Sequence, residues 1–310
     1  MANTRSWLHI LGSSYTVPVD AGARSILIGH AITRIDSTNA TIINNDAAPI
    51  FADRAGDAPN VTLGSMTIGG AGSGPAISFA HGSVTVRNTA LRGEFIVGSG
   101  ASLLVATSTV DASKASTSSG STTIQDSTLK SEVIADGGTL TYIRNTFDAP
   151  TTKAIVVSGS TTVTVKNSIF LSHGIATAVL DFGNSLGSTS VEFSTFVNGQ
   201  GTTIAPLTCG VPAGTFVDNI DAWGMAMPSA CLNTYSLFNG ADGSVSGTGN
   251  KAAALSTFFA DQVSGDFHLQ AGSPALHAGT STATATDHDS AIRPNPAGSV
   301  PDVGAYESPY

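Results

Sequence analysis

Short units of alternating polar and apolar residues recur along the middle of the chain. In most copies, small hydroxyl residues stand one and three positions before an apolar anchor, and a second apolar anchor follows five residues later. The first anchors are Leu63, Val86, Val105, Ile124, Tyr142, Val165 and Val191. The second anchors are Ile68, Leu91, Val110, Leu129, Phe147, Phe170 and Phe196. Successive first anchors are 23, 19, 19, 18, 23 and 26 residues apart, so the unit varies in length around a constant pattern.

A repeat of this size, lengthened only at its corners, predicts a coil of short parallel strands. One coil cannot bury its own inward side, but coils stacked about 4.8 Å apart place like residues over like residues. The predicted fold is therefore all-β, a single-stranded right-handed parallel β-helix of about 8–10 coils with a C-terminal cap. Two residues after the first anchor the chain must turn, and Asn at such a position tolerates a left-handed backbone. The turn positions are Asn88, Thr107, Asp126, Arg144 and Asn167.

The extent of the repeat divides the chain into three segments. We expect residues 1–39 to form an N-terminal cap or incomplete coils, residues 40–238 the coils, and residues 239–310 a capping segment. Within the last segment we expect a short helix over residues 252–260, because an uncapped stack exposes its core and its strand edges.

Composition and charge narrow the location and the partners. Of 310 residues only 11% are charged, and the net charge is −9. A nucleic-acid-binding protein needs a basic face, so nucleic acid is not an expected partner. No apolar run reaches the ~18 residues of a membrane-spanning helix. The apolar stretch after residue 6 is too short for a signal peptide, so the protein is either cytosolic or exported with its leader outside this sequence.

Two cysteines, Cys209 and Cys231, leave two alternatives open. They are either buried free thiols or one disulfide that closes a loop of about 22 residues, stabilising the fold by about 3 kcal/mol. Export of the protein would favour the disulfide.

The end of the chain carries the most specific motif. Residues 267–279 read FHLQAGSPALHAG and residues 301–307 read PDVGAYE, with Asp287 and Arg293 between them. This ending resembles the closing signature of bacterial surface proteins of the choice-of-anchor Q type, which have a right-handed, pectate-lyase-like parallel β-helix. The coils NVTLGSMTI at 60–68 and VKNSIF at 165–170 are similar to those of the same group. His277 departs from the pattern, because the group usually has Asp there.

The resemblance implies export and attachment to the cell surface through a variable anchor, and it covers about residues 40–307. It implies no single activity, since the fold alone does not fix one. We therefore expect an extracellular or cell-surface location, with the leader and the anchor outside this chain.

Charged residues at recurring positions are the candidates for chemistry. A polysaccharide lyase needs carboxylates for Ca²⁺ and a basic residue that takes a proton. The candidates for catalysis are Asp126, Arg144 and Lys130, and those for ligand binding are Asp111, Asp148 and Arg92. Their signs alternate along the stack, which favours a structural charge ladder over a cation site. No cofactor is expected, although binding of Ca²⁺ stays an open alternative. No residues are assigned to a metal site.

Charged residues of the closing segment have a structural interpretation. Asp287, Arg293 and Asp302 are expected to cap backbone groups and to pair with one another rather than to bind a metal.

Outward-facing hydroxyl groups are the other regular feature. Thr85, Thr123, Thr141 and Thr164 belong to columns that flank the inward anchors and predict a flat Ser/Thr face. We predict a non-catalytic extracellular or cell-surface β-helix module that serves adhesion or carbohydrate contact. The alternative is a polysaccharide lyase or glycoside hydrolase acting on an acidic polysaccharide, and a second alternative is ice binding through the Ser/Thr array. Whether the protein is an enzyme stays open, and no oligomeric state is predicted.

Overall fold

A parallel β-helix of about 8 turns, nearly all β, is the fold of the chain, as the repeat predicts. The computed structural model describes residues 6–11, 14–16, 25–43, 48–70, 74–112, 116–149, 153–172, 178–185, 187–198, 205–210, 214–223, 228, 230–240, 246–280 and 285–309. The chain divides into two compact units, Met1–Thr141 and Tyr142–Tyr310.

The first unit contains three parallel sheets. Its strands are β1 (Ser6–Ile10), β2 (Ser14–Thr16), β3 (Ile26–Ile28), β4 (Ile32–Ile43), β5 (Phe51–Asp53), β6 (Asn60–Ile68), β7 (Ile77–Arg87), β8 (Ala90–Leu91), β9 (Phe95–Ala106), β10 (Thr109–Val110), β11 (Ser116–Ser118), β12 (Ser121–Gln125), β13 (Thr128–Leu129) and β14 (Val133–Asp136). The boundary between the units falls within β15 (Thr139–Ile143).

Each sheet of the first unit takes a strand segment from successive coils. The first sheet pairs β1, β4, β6, β7, β9 and β12 in that order. The second sheet pairs β2, β4, β6, β8, β10 and β13. The third sheet pairs β3, β5, β7, β9, β11 and β14. Strands thus begin within residues 1–39, the segment expected to hold a cap or incomplete coils.

The strand registers confirm the predicted anchor columns of the first unit. In the first sheet, fully buried anchors follow one another in register, in the order Leu63, Val86, Val105 and Ile124. In the second sheet the order is Ile68, Leu91, Val110 and Leu129, again fully buried. Each fully buried side chain of this size stabilises the fold by about 1.5–3 kcal/mol, so the two columns contribute substantially to its stability.

A left-handed residue turns the chain between the first and second sheets. Asn88, Thr107 and Asp126 have φ angles of 50°, 49° and 51°. Arg144 and Phe193 adopt the same conformation in the second unit, with φ of 53° and 48°. This conformation costs most L-residues roughly 1–2 kcal/mol, whereas Asn and Asp tolerate it, so the fold imposes it on Thr107, Arg144 and Phe193 against their preference.

A buried Ser, Thr or Asn directly after the left-handed residue ties one coil to the next. The Ser108 N–H donates to the Ser127 hydroxyl at 3.1 Å, and the Ser108 hydroxyl donates to the Ala106 carbonyl at 2.7 Å. In the second unit the Ser168 N–H donates to the Ser194 hydroxyl at 3.3 Å in the same way. These bonds satisfy buried backbone N–H groups at the corner, where the ladder of the sheet is interrupted.

The second unit has the same three-sheet arrangement and ends in a closing segment. Its strands are β16 (Thr146–Ala149), β17 (Ile155–Gly159), β18 (Thr162–Lys166), β19 (Ile169–Ser172), β20 (Leu180–Ser185), β21 (Thr189–Glu192), β22 (Thr195–Asn198), β23 (Leu207–Cys209), β24 (Thr215–Val217), β25 (Ile220–Ala222), β26 (Leu232–Thr234), β27 (Leu237–Asn239), β28 (Lys251–Ala253), β29 (Phe259–Asp261) and β30 (Asp266–Leu269). Phe147, Phe170 and Phe196 stack along its second sheet, with ring centroids 6.4 Å and 5.0 Å apart.

The predicted short helix over residues 252–260 is wrong. Lys251–Ala253 instead forms β28, which pairs with β27, and Phe259 opposes Leu269 in the antiparallel β29–β30 pair. Only the single 3-10 turn Leu255–Thr257 fits between them, with a second 3-10 turn at Gln262–Ser264. The backbone of this stretch is committed to strand pairing, which leaves no room for an α-helix.

The closing segment packs against the second sheet of its own unit. Ile169, Val197 and Ile220 of that sheet lie in one buried cluster with Phe259 and Val303 of the closing segment. Since Phe170 and Phe196 occupy the inward positions of β19 and β22, the neighbouring Ile169 and Val197 face the opposite side of the sheet. The closing segment therefore covers the outer side of the second sheet.

The disulfide alternative is confirmed. Cys209, the last residue of β23, is bonded to Cys231, which immediately precedes β26.

Candidate functional site

The outward side of the first sheet in the first unit carries two adjacent columns of side chains, together called the first-sheet surface. One column is Trp7, Arg34, Thr62, Thr85, Leu104 and Thr123. The other is His9, Asp36, Gly64, Arg87, Ala106 and Gln125. Thr85 and Thr123 are thus part of a regular column with about 4.8 Å between coils, interrupted by Leu104.

The remaining predicted hydroxyl positions are found on other strands. Thr164 lies in register with Ser190, which is followed by Thr215, in the first sheet of the second unit. Thr141 lies on β15 and is partly exposed. The strand registers thus align Thr85 and Thr123, interrupted by Leu104, and Thr164 with Ser190, while a binding role for these hydroxyls stays a prediction.

Trp7 begins the first column and is the largest exposed apolar side chain on this surface. It is 65% exposed, although it belongs to a paired strand. The Arg34 guanidinium carbon lies 5.4 Å from the centre of its ring, and the ring of His9 meets it edge-on at 6.1 Å. These contacts brace the indole and leave most of it open to solvent.

Asp36 fixes the position of all three neighbours. Its Oδ1 accepts bonds from Trp7 Nε1 at 3.1 Å and lies 2.7 Å from His9 Nδ1, while its Oδ2 accepts from Arg34 Nε at 2.7 Å. The bond with His9, and then those from Trp7 and Arg34, hold the pKa of Asp36 below its ordinary value. The Asp36 side chain is only 9% exposed, so it acts as the buried support of an exposed indole.

Trp7, Arg34 and the threonines together offer a surface with two kinds of contact. The indole presents an apolar face, while Arg34 and the hydroxyls of Thr62 and Thr85 offer hydrogen-bond donors and acceptors in a row. Side chains held by other side chains lose little entropy when a ligand arrives. Such an arrangement can bind an extended ligand that has both apolar and hydroxyl-rich edges.

The predicted ligand residues Arg92 and Asp111, and the catalytic candidate Lys130, lie elsewhere in the first unit. Arg92, Asp111 and Lys130 each follow a short strand of the second sheet, and all three are exposed. In the part of the chain that the structure describes, no ion pair joins any two of them. They are separate surface charges, and a role in ligand binding for Arg92 and Asp111, or in catalysis for Lys130, stays a prediction.

The predicted Asp126, Arg144 and Asp148 also lie outside this surface. Asp126 occupies a left-handed turn of the first unit, while Arg144 and Asp148 belong to the second unit. Arg144 donates to the hydroxyl of Thr286 at 3.4 Å, which ties it to the closing segment. A catalytic role for Asp126 and Arg144, and a ligand-binding role for Asp148, stay predictions.

The carboxylates of the closing segment cap backbone groups, as the sequence predicts. Both carboxylate oxygens of Asp302 accept backbone N–H bonds, from His277 and Ser308, each at 2.7 Å. Asp287 and Glu307 do the same, at distances between 2.7 and 3.0 Å. Burial raises the pKa of Asp302 and of Glu307 against these bonds. Every oxygen of the three carboxylates is engaged, so their role here is structural.

Arg293 is the cation at the centre of this group. It donates to the carbonyls of Asp302 at 2.7 Å and Gly304 at 3.0 Å, and its Nε lies 3.5 Å from Glu307. Its guanidinium also lies over the ring of Phe193 at 4.4 Å. Burial lowers the pKa of Arg293, and the surrounding carboxylates oppose that shift. The closing motif therefore holds the tail on the second unit.

A second histidine cluster lies on the surface of the closing segment. His268 Nδ1 is 2.6 Å from Asp266 and its Nε2 is 2.9 Å from Asp289, while its ring stacks on Tyr306 at 4.0 Å. Burial would lower the pKa of His268, but the bonds to Asp266 and Asp289 outweigh it and raise the pKa. Both ring nitrogens are occupied, so this histidine serves as a clip rather than as a free base.

Two further properties bear on the class of protein. Among the residues that the structure describes, no group of three or more His, Cys, Asp or Glu side chains is arranged to hold a metal ion. No helix in that same part of the chain is long and apolar enough to cross a membrane.

Comparison with known proteins adds no relative. A scan against models of protein families finds no match, and a search of curated proteins finds none either. The resemblance of the closing residues to the choice-of-anchor Q group therefore stays a prediction.

Sequence analysis missed the Trp7 site, although its signal was present. In Trp7-Leu8-His9 and Arg34-Ile35-Asp36, residues with a polar group flank a purely aliphatic one, the alternation typical of a strand. These segments lack the hydroxyl residues that mark the later coils, so the repeat pattern read from the sequence does not include them.

Proposed function

We propose that this protein is a non-catalytic extracellular or cell-surface module that contacts carbohydrate through the first-sheet surface. The observation that carries the proposal is Trp7, an exposed indole fixed by a buried carboxylate at the end of a hydroxyl column. Sugars pair an apolar C–H face with a rim of hydroxyl groups, and this surface offers a matching ring and matching polar partners.

The extracellular part of the proposal has separate support. The disulfide between Cys209 and Cys231 is typical of proteins that fold in an oxidising compartment. The resemblance of residues 267–307 to exported surface proteins points in the same direction.

The test is binding of the whole chain to a glycan array, followed by measured affinities for the glycans retained. Trp7→Ala should weaken binding at least about tenfold, as expected for loss of a central aromatic contact. Leu11→Ala is the matched control, because it removes an 86%-exposed apolar side chain just beyond the same strand. It should leave the affinity unchanged.

Two results would contradict the proposal. If Trp7→Ala and the unaltered chain bind the retained glycans with equal affinity, the first-sheet surface is not the binding site. Release of unsaturated sugars or new reducing ends from a bound polysaccharide would instead support the lyase or hydrolase alternative. Ice binding would be supported by thermal hysteresis that the bulky substitution Thr141→Tyr abolishes.

A further inference from the structure

Arg87 is an unused cation on the first-sheet surface. It is exposed and stands in the second column between Gly64 and Ala106, whose small size leaves the guanidinium uncovered. Within the described residues, the Arg87 guanidinium has neither an ion pair nor a hydrogen bond. Two coils separate it from Asp36, a distance of about 10 Å at the spacing of the strands.

The one carboxylate among the residues of the two columns is already committed. Asp36 is bound by Trp7, His9 and Arg34 and is largely buried. It therefore balances the charge of Arg34 and leaves that of Arg87 in excess.

The first sheet of the second unit shows the opposite arrangement. Lys166 there pairs with Glu192 at 3.1 Å, and Glu192 also accepts a bond from Ser190 at 2.8 Å. The cation is neutralised within the sheet. An unbalanced cation on the same sheet as an exposed indole, three strands or about 14 Å away, is therefore a property of the first-sheet surface.

We infer that the carbohydrate bound here is an anionic polysaccharide built of uronic acids, in which the carboxylate of one ring pairs with Arg87 while a ring about 14 Å further along the polymer contacts Trp7. This inference rests on the proposed function and specifies its ligand. The chain as a whole carries a net charge of −9, which repels a polyanion. At physiological salt, charges more than about 8 Å away are largely screened, so the local cation outweighs the distant carboxylates.

The experiment compares acidic polymers with neutral copies of themselves. Affinities of the whole chain are measured for polygalacturonate, alginate and hyaluronate, and for the carboxyl-reduced form of each. Arg87→Gln should weaken binding to an acidic polymer about fivefold, the size of one exposed ion pair, and should leave the reduced form unchanged. Arg54→Gln, at another exposed arginine outside the two columns, is the matched control and should alter neither.

The outcomes separate the inference from the function on which it rests. Preference for an acidic polymer that Arg87→Gln reduces and added salt weakens would support the inference. If the reduced polymers bind equally well, and only Trp7→Ala weakens them, the anionic specificity is wrong and carbohydrate contact stands. If Arg87→Gln behaves like Arg54→Gln on the acidic polymers, the assignment of Arg87 is wrong. Retention of none of the six polymers would overturn the inference, and the proposed function would fall with it only if the glycan array also retains nothing.

Discussion

Replacing Arg293 by Met should loosen the closing segment from the second unit. The Arg293 side chain is fully buried, and its removal leaves the Asp302 and Gly304 carbonyls without these donors and Glu307 without its nearest cation. Breaking a buried ion pair by deleting one partner costs about 3–5 kcal/mol. The free energy of unfolding falls by about 2 kcal/mol for each molar of urea. A loss of about 4 kcal/mol in that free energy therefore lowers the urea concentration at the unfolding midpoint by about 2 M.

The assay is urea unfolding followed by the fluorescence of Trp223, which is 2% exposed and lies in the second unit. Trp7→Phe as the background removes the other tryptophan signal. Arg54→Met is the surface control and should change stability by less than about 0.5 kcal/mol. A loss below 1 kcal/mol for Arg293→Met would refute the argument that this cation holds the tail.

Two further predictions concern the clip and the turns. Because the pKa of His268 is raised, its stabilising effect is complete below the ordinary pKa of about 6.5 and is lost as the pH rises through the raised value. The bond with His268 lowers the pKa of Asp266. The stabilisation that the ionised Asp266 contributes is therefore lost only as the pH falls below about 4. The melting temperature should therefore fall more steeply between pH 6 and 9 for the unaltered chain than for His268→Gln. Parallel curves of melting temperature against pH would contradict this prediction. Thr107→Asn should raise stability by about 1 kcal/mol, since a β-branched residue at φ 49° is replaced by one that tolerates it. The control Thr109→Asn, in strand β10, should give no gain in stability. Equal changes in stability at Thr107 and Thr109 would show that relief of backbone strain at the turn is not the cause.

The coils could be predicted from sequence because every coil repeats the same physical requirement. Val86, Val105 and Ile124 must each fill the same layer of the core, so their spacing from the second anchor is constant. The turn position was readable for the same reason. The buried residue after it, such as Ser108 or Ser127, also recurs, but its role was missed because it pairs across coils rather than with its sequence neighbours.

The candidate surface could not be predicted in the same way. Trp7 and Arg34 come from the first coils, which lack the hydroxyl signature, and their link to Asp36 appears only when the strands are in register. Charged residues chosen by period alone, such as Arg92 and Asp111, proved to be exposed and separate. The closing helix failed because strand pairing of Lys251–Ala253 outweighs the local preference of an alanine-rich segment.

The most direct test of carbohydrate contact is quenching of tryptophan fluorescence by acrylamide. Trp7 is open to the quencher and Trp223, at 2% exposure, is not. A saturating polysaccharide ligand should shield Trp7 and reduce quenching of the unaltered chain to the level seen in Trp7→Phe. Quenching that stays unchanged while the polysaccharide is bound would show that the ligand lies elsewhere and that this surface is not the binding site.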